Sequence, residues 1–220
     1  MIRLLKKYNK WNETLLLGVA SIMCFGLTIF RSRYPDSPKI LLLNWDLFLA
    51  FIPWAISSIA VVFPKLQDRK LIILFLFATW LLFFPNAPYL LTDLLYLRIY
   101  SRFPQWFDLV MILCFAWTGL LFGFLSLMDM EKVLLKSVNR TWTSTIVAGI
   151  LFLSSFGIYI GKYLGWNSWD IIRNPFGVFY DIGERVMNPF EFRGTWAFTI
   201  IMGIFLNIVY WSFRLIKQKR

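Results

Sequence analysis

The sequence predicts an all-α integral membrane protein with about six transmembrane helices, the third of them broken and followed by a short amphipathic helix. Two observations predict this class. Hydrophobic residues make up 59% of the 220 positions and aromatic residues 20%, with a mean hydropathy of +0.63. A soluble domain of this size has no use for so much apolar surface. The apolar residues also gather into runs near the length needed to cross about 30 Å of hydrocarbon, with the basic residues between them. Residues 1–220 read as a single polytopic membrane domain.

The spans cover roughly residues 14–30, 40–63, 71–84, 107–128, 145–164 and 195–213. The first follows Lys6, Lys7 and Lys10. No small-residue cleavage site succeeds it, only Arg31-Ser32-Arg33-Tyr34-Pro35, so it reads as a retained signal anchor. The second opens on Asn44-Trp45-Asp46. The third stops at Phe84-Pro85-Asn86-Ala87-Pro88, after an apolar part of 14 residues, or roughly 21 Å. Either the break lies within the membrane or the bilayer adapts to a short span. The fourth opens on Trp106-Phe107-Asp108, and the fifth is followed by Asn167-Ser168-Trp169-Asp170. The sixth leads into a basic tail.

Segment 86–100 reads as an interfacial helix. Tyr89, Thr92, Asp93, Tyr96 and Tyr100 fall on one helical stripe, with Leu90, Leu91, Leu94 and Leu95 opposite. Asn86 is placed as its N-cap, and the helix start would suit an anion such as phosphate. The competing reading is a kinked helix with a polar stripe toward its neighbours. The outer loop 165–194 carries Asn174-Pro175-Phe176 and Asn188-Pro189-Phe190, two turns whose aromatics reach the interface. It reads either as a lid or as an ordinary interfacial loop.

Net charge is +11. Fourteen bases fall on the side that holds both termini and nine on the other. The acids divide four and eight, so the two faces carry about +10 and +1. Both termini are therefore expected in the cytoplasm of a bacterial plasma membrane, facing anionic lipids. Nucleic acid is not an expected partner, since no aromatic-basic motif is present. Histidine is absent, which excludes Ser-His and Cys-His catalysis. Cys24 and Cys114 read as small buried hydrophobes. Gly119 and Gly123, and Gly157, Gly161 and Gly165, have the four-residue spacing of close helix packing, within a monomer or in a homo-oligomer.

This topology brings Asp46, Asp93, Asp108 and Asp170 to one side, expected to be extracytoplasmic. Each taken singly suits a helix cap or an interface. Four together suggest a shared polar site, because acids at membrane depth usually serve function. The candidate catalytic residues are Asp93 and Asp170, with Asn86, Tyr89, Thr92, Asp108, Asn167 and Trp169 as ligand-binding residues. A divalent cation, Mg²⁺ or Ca²⁺, is the cofactor that such acids would hold if the ligand carried a phosphate.

Three stretches carry a family resemblance. They are Phe84 to Asp93, Asp46 to Pro53 and Gly161 to Asp170, the first containing Asn-Ala-Pro-Tyr-x-x-Thr-Asp and the last Trp-Asn-Ser-Trp-Asp. The chain resembles a bacterial membrane-protein family catalogued as domain of unknown function 1361. That pattern expects Trp-Asn where this chain has Trp45-Asp46, which counts against a catalytic Asp46. The resemblance implies a multi-pass bacterial membrane protein and brings no activity. Three functions stay open: an outer-face site that binds or processes an amphipathic envelope ligand (a lipid headgroup or lipid-linked glycan), a regulator or assembly factor with a membrane or cytosolic protein partner, and a small transporter.

Overall fold

The computed structural model describes residues 10–34, 40–97 and 104–218. Its helices are α1 (Trp11–Ser32), α2 (Ile40–Val62), α3 (Lys70–Phe83), α4 (Asn86–Tyr89), α5 (Gln105–Leu134), α6 (Arg140–Leu164), α7 (Asp170–Arg173), α8 (Pro175–Met187) and α9 (Arg193–Gln218). Two 3-10 segments, Pro64–Leu66 and Leu90–Tyr96, complete the described structure, which contains no strand. Six stretches are long and apolar enough to cross a membrane, and the third runs from Lys70 to Leu95. The protein is thus an all-α multi-pass membrane protein. The described residues form two compact units, divided between Lys136 and Ser137.

In the first unit, α5 is the central helix and is buried over most of its length. Two crossings fix its neighbours, α2 running parallel to it and α3 antiparallel. Phe51 and Trp54 of α2 set their rings 5.8 and 5.9 Å from Phe122, both edge to face. Trp80 of α3 is fully buried and donates its indole N–H to Ser126 Oγ at 3.2 Å. Ser126 in turn donates to the Gly123 carbonyl at 2.8 Å. The indole therefore pairs within hydrocarbon, where an unpaired donor costs several kcal/mol. Cys24 is buried, with Sγ 3.6 Å from Thr118 Oγ1, as a small packing residue would be.

The second unit is built on α6 and α9. Asn139 caps α6 by accepting from the Trp142 N–H at 2.9 Å. Gly165 ends it with φ +80°, a left-handed conformation that costs glycine little. The Gly-xxx-Gly spacing here thus runs into a helix terminus. Phe156 stacks on Trp196 at 5.7 Å, and Phe152 fills the space over Gly203, where a Cβ would come 2.2 Å from its ring. Between these spans, residues 165–194 fold into α7 and α8.

Candidate functional site

The Pro-Asn-Ala-Pro stretch tightens the third span without reversing it. Phe84, Pro85, Tyr89 and Leu90 all keep right-handed helical dihedrals. Pro85 has no N–H to give, and Ala87 donates three residues back, to Phe84, at 3.1 Å. The Phe83 carbonyl, which a regular α-helix would pair with Ala87, receives the side-chain amide of Asn86 at 2.9 Å. Asn86 thus repairs the ladder behind it. The expected role as a forward N-cap does not occur, and Pro85 occupies the cap position without a side-chain bond. Because α4 continues from α3 through one turn, it offers no free helix start for a phosphate.

The stretch fits against glycine. A Cβ on Gly119 would lie 2.6 Å from the Ala87 carbonyl oxygen and 2.6 Å from Leu90 Cδ1. One on Gly123 would lie 2.9 Å from Ala87 Cβ. The ridge on α5 therefore packs within the first unit, against the break itself.

Two ion pairs tie α1 to α5, one near each end, and they locate the break in depth. At one end the buried Lys10 ammonium bonds the Asp129 carboxylate, with Glu13 at 2.7 Å from the same nitrogen. Ser57 Oγ stands 3.4 Å from Asp129, and Lys132 Nζ 3.3 Å. At the other end the buried Arg31 holds Asp108 through two nitrogens, at 2.7 and 3.3 Å, and donates to the Tyr34 carbonyl at 3.2 Å. Lys10 and Arg31 stand 21 positions apart, as do Asp108 and Asp129. That spacing is roughly 32 Å of helix, the thickness of the hydrocarbon layer. Gly119 lies midway between Asp108 and Asp129, so the break sits near mid-depth.

Past the break the chain is a 3-10 helix, three residues to the turn. This period replaces the 3.6-residue stripe of the amphipathic reading. Asp93 comes one turn after the fully buried Leu90 and is itself 2% exposed. Thr92 is buried and donates to the Tyr89 carbonyl at 2.7 Å, while Asn86 and Tyr89 are half-buried. One 3-10 turn beyond Leu90 places Asp93 about 10 Å inboard of the Arg31–Asp108 pair. Asp46, near the start of α2, is half-buried. The stripe's Tyr100 lies outside the described residues.

In the second unit, Asn167 and Asp170 close a local turn. The Asn167 N–H donates to Asp170 Oδ2 at 2.8 Å, and the Asp170 N–H donates to the Asn167 carbonyl at 2.9 Å. This reciprocal pair closes the turn that leads into α7. Trp169 and Asp170 are half-buried and Asn167 is exposed. Among the described residues, no three His, Cys, Asp or Glu side chains group to hold a metal ion.

In the sequence Lys10 and Arg31 read only as topology charges, and Asp129 only as one of the four acids on the side of the termini. The signal was available: Asp129 lies between Met128 and Met130, just past the fourth apolar run. Recognising it requires knowing that α5 continues as helix to Leu134.

A profile described as "Protein of unknown function (DUF1361)" matches residues 45–209. The chain belongs to this family. The match begins at Trp45 and takes in both the break and the Trp-Asn-Ser-Trp-Asp turn. No curated protein and no solved structure matches the chain. This DUF1361 protein accordingly takes no function from a relative, and its chemistry rests on its own side chains.

Proposed function

We propose that this protein binds, and through Asp93 acts on, the polar headgroup of an amphipathic cell-envelope ligand, from the extracytoplasmic side of a bacterial plasma membrane. Both termini are then cytoplasmic, as the charge asymmetry favours. One observation carries the reading: a carboxylate, Asp93, is buried at membrane depth on a 3-10 segment seated against a glycine ridge. Ionisable groups in such places default to function.

The donor set narrows the ligand. A carboxylate accepts hydrogen bonds from hydroxyl or ammonium groups but repels a phosphate unless a cation intervenes. With no three-ligand metal group among the described residues, a hydroxyl-rich or amine headgroup suits Asp93 better than a metal-bridged phosphate. A lipid-linked glycan supplies such hydroxyls. Thr92 and Tyr89 supply further polar contacts from the same segment. Asp170 remains a second candidate acid, and its turn with Asn167 and Trp169 a second candidate contact.

Retention of lipid by the purified protein tests this, read by native mass spectrometry. Asp93→Asn is expected to lower the bound glycolipid by tenfold or more at unchanged membrane abundance. Equal retention in Asp93→Asn and the parent chain would remove the proposal. The near-central break favours transport as a second reading, because discontinuous helices near the midplane line many transporter sites. Solute flux into proteoliposomes that stops in Asp93→Asn, without lipid retention by the parent chain, would establish that reading in its place.

A further inference from the structure

The helix α8 has its amphipathic faces arranged opposite to those of a helix that faces water. Its 13 residues begin at Pro175, with Asn174 capping the Gly177 N–H at 3.1 Å. Asp181 and Arg185 turn inward and are held there. Asp181 accepts the Trp166 indole N–H at 2.6 Å, and Arg185 Nη1 lies 3.7 Å from the Asp181 carboxylate. The Arg185 guanidinium stands 4.7 Å over the Phe192 ring, and its backbone carbonyl accepts the Trp196 indole N–H at 3.0 Å. The outward arc carries Phe176, Phe179, Tyr180, Val186 and Met187, each more than half exposed, and no charged residue. Phe190, 83% exposed, extends the same apolar surface beyond the helix end.

We infer that α8 is an interfacial membrane anchor, with this aromatic face lying in the lipid headgroup and acyl boundary. The occupant follows from where the helix is tied. Trp166 stands two residues after α6 ends, and Trp196 lies in the first turn of α9. Their indoles bond to α8, which holds it at the level where both spans end. Tyr163 at the end of α6 and Ile200 and Ile201 in α9 are exposed apolar residues of the two spans to which α8 is tied. A water-exposed loop would gain nothing from turning Asp181 and Arg185 inward, whereas a helix on lipid gains the transfer of each outward ring.

Attraction here is hydrophobic and not electrostatic. Residues 165–194 contain four acids and three bases, a net charge of −1. Most interfacial helices draw on Lys and Arg for anionic lipid, and this one does not.

The test places a fluorophore on single cysteines in the full chain, in nanodiscs. The variants are Phe176→Cys, Phe179→Cys and Met187→Cys, with the parent chain as the control for labelling at Cys24 and Cys114. The expected result is strong quenching by shallow spin-labelled lipid, at least threefold weaker quenching by aqueous iodide than for a label at Arg173→Cys, and no change between zwitterionic and anionic lipid. Quenching by iodide without quenching by lipid would overturn the anchor. Shielding from both quenchers would also overturn it, by showing protein on this face. A dependence on anionic lipid would overturn the hydrophobic basis. None of these outcomes depends on the Asp93 site.

Discussion

At the residue scale, Lys10, Asp129, Arg31 and Asp108 are ions held in pairs, because charge within an apolar layer is stable only when paired. Lys10 and Asp129 are both about 1% exposed, and each satisfies the other. Removing one partner leaves a desolvated charge, which typically costs about 3–5 kcal/mol, whereas removing both can be close to neutral. Asp129→Leu alone is therefore expected to lower the midpoint of thermal unfolding in detergent strongly. Lys10→Met with Asp129→Leu is expected to recover most of the loss. A double variant as unstable as the single ones would show that Glu13, Ser57 or Lys132 carries the energy. Asp93 is proposed to contact a ligand, and its substitution is expected to change lipid retention before abundance.

At the element scale, the broken third span exists because three sequence choices agree. Pro85 and Pro88 remove backbone donors, Asn86 returns an amide to the Phe83 carbonyl, and Gly119 and Gly123 clear room on α5. Gly119→Ala pushes a Cβ to 2.6 Å from the Ala87 carbonyl oxygen, a backbone atom that cannot swing aside. A loss of roughly 1–3 kcal/mol is expected, by the cost of overpacking. Gly18→Ala, with nothing within 4 Å, is the control and is expected to be neutral or slightly stabilising. Unfolding midpoints of the two variants in one detergent check this. Equal effects would separate the glycine ridge from the break. The 3-10 period beyond the break was hidden from a reading of periodicity. Tyr89, Thr92, Asp93 and Tyr96 match a 3.6-residue stripe by spacing alone. The chain beyond the break takes three residues per turn, which that spacing does not reveal.

At the scale of the whole molecule, the membrane sets the distances. Two ion pairs spaced by about 32 Å along α1 and α5 bracket the hydrocarbon layer, and the basic residues distribute unequally between its faces. Positive-inside orientation is tested by reporters at the C-terminal end. A fluorescent protein that folds only in the cytoplasm is expected to light up there, and a phosphatase that folds only outside is expected to stay inactive. The reverse pattern would invert the topology and put Asp93 on the path to the cytoplasmic face. Legibility of the fold followed from the same physics. Apolar run lengths and the positions of Lys and Arg respond to the bilayer, a solvent common to all membrane proteins, so the class, the six spans and the location of the break could be read residue by residue. The fate of each polar side chain depends on neighbours distant in the chain. Asp108 pairs with Arg31 across 77 positions and Asp129 with Lys10 across 119. By itself the sequence determined a six-span membrane protein interrupted at Pro85, because hydrophobicity and missing N–H groups act locally. Only the tertiary structure decided that the interruption lies near mid-depth on a glycine ridge, that Asp93 is buried, and that α8 turns its aromatics outward, because those outcomes depend on which helix faces which.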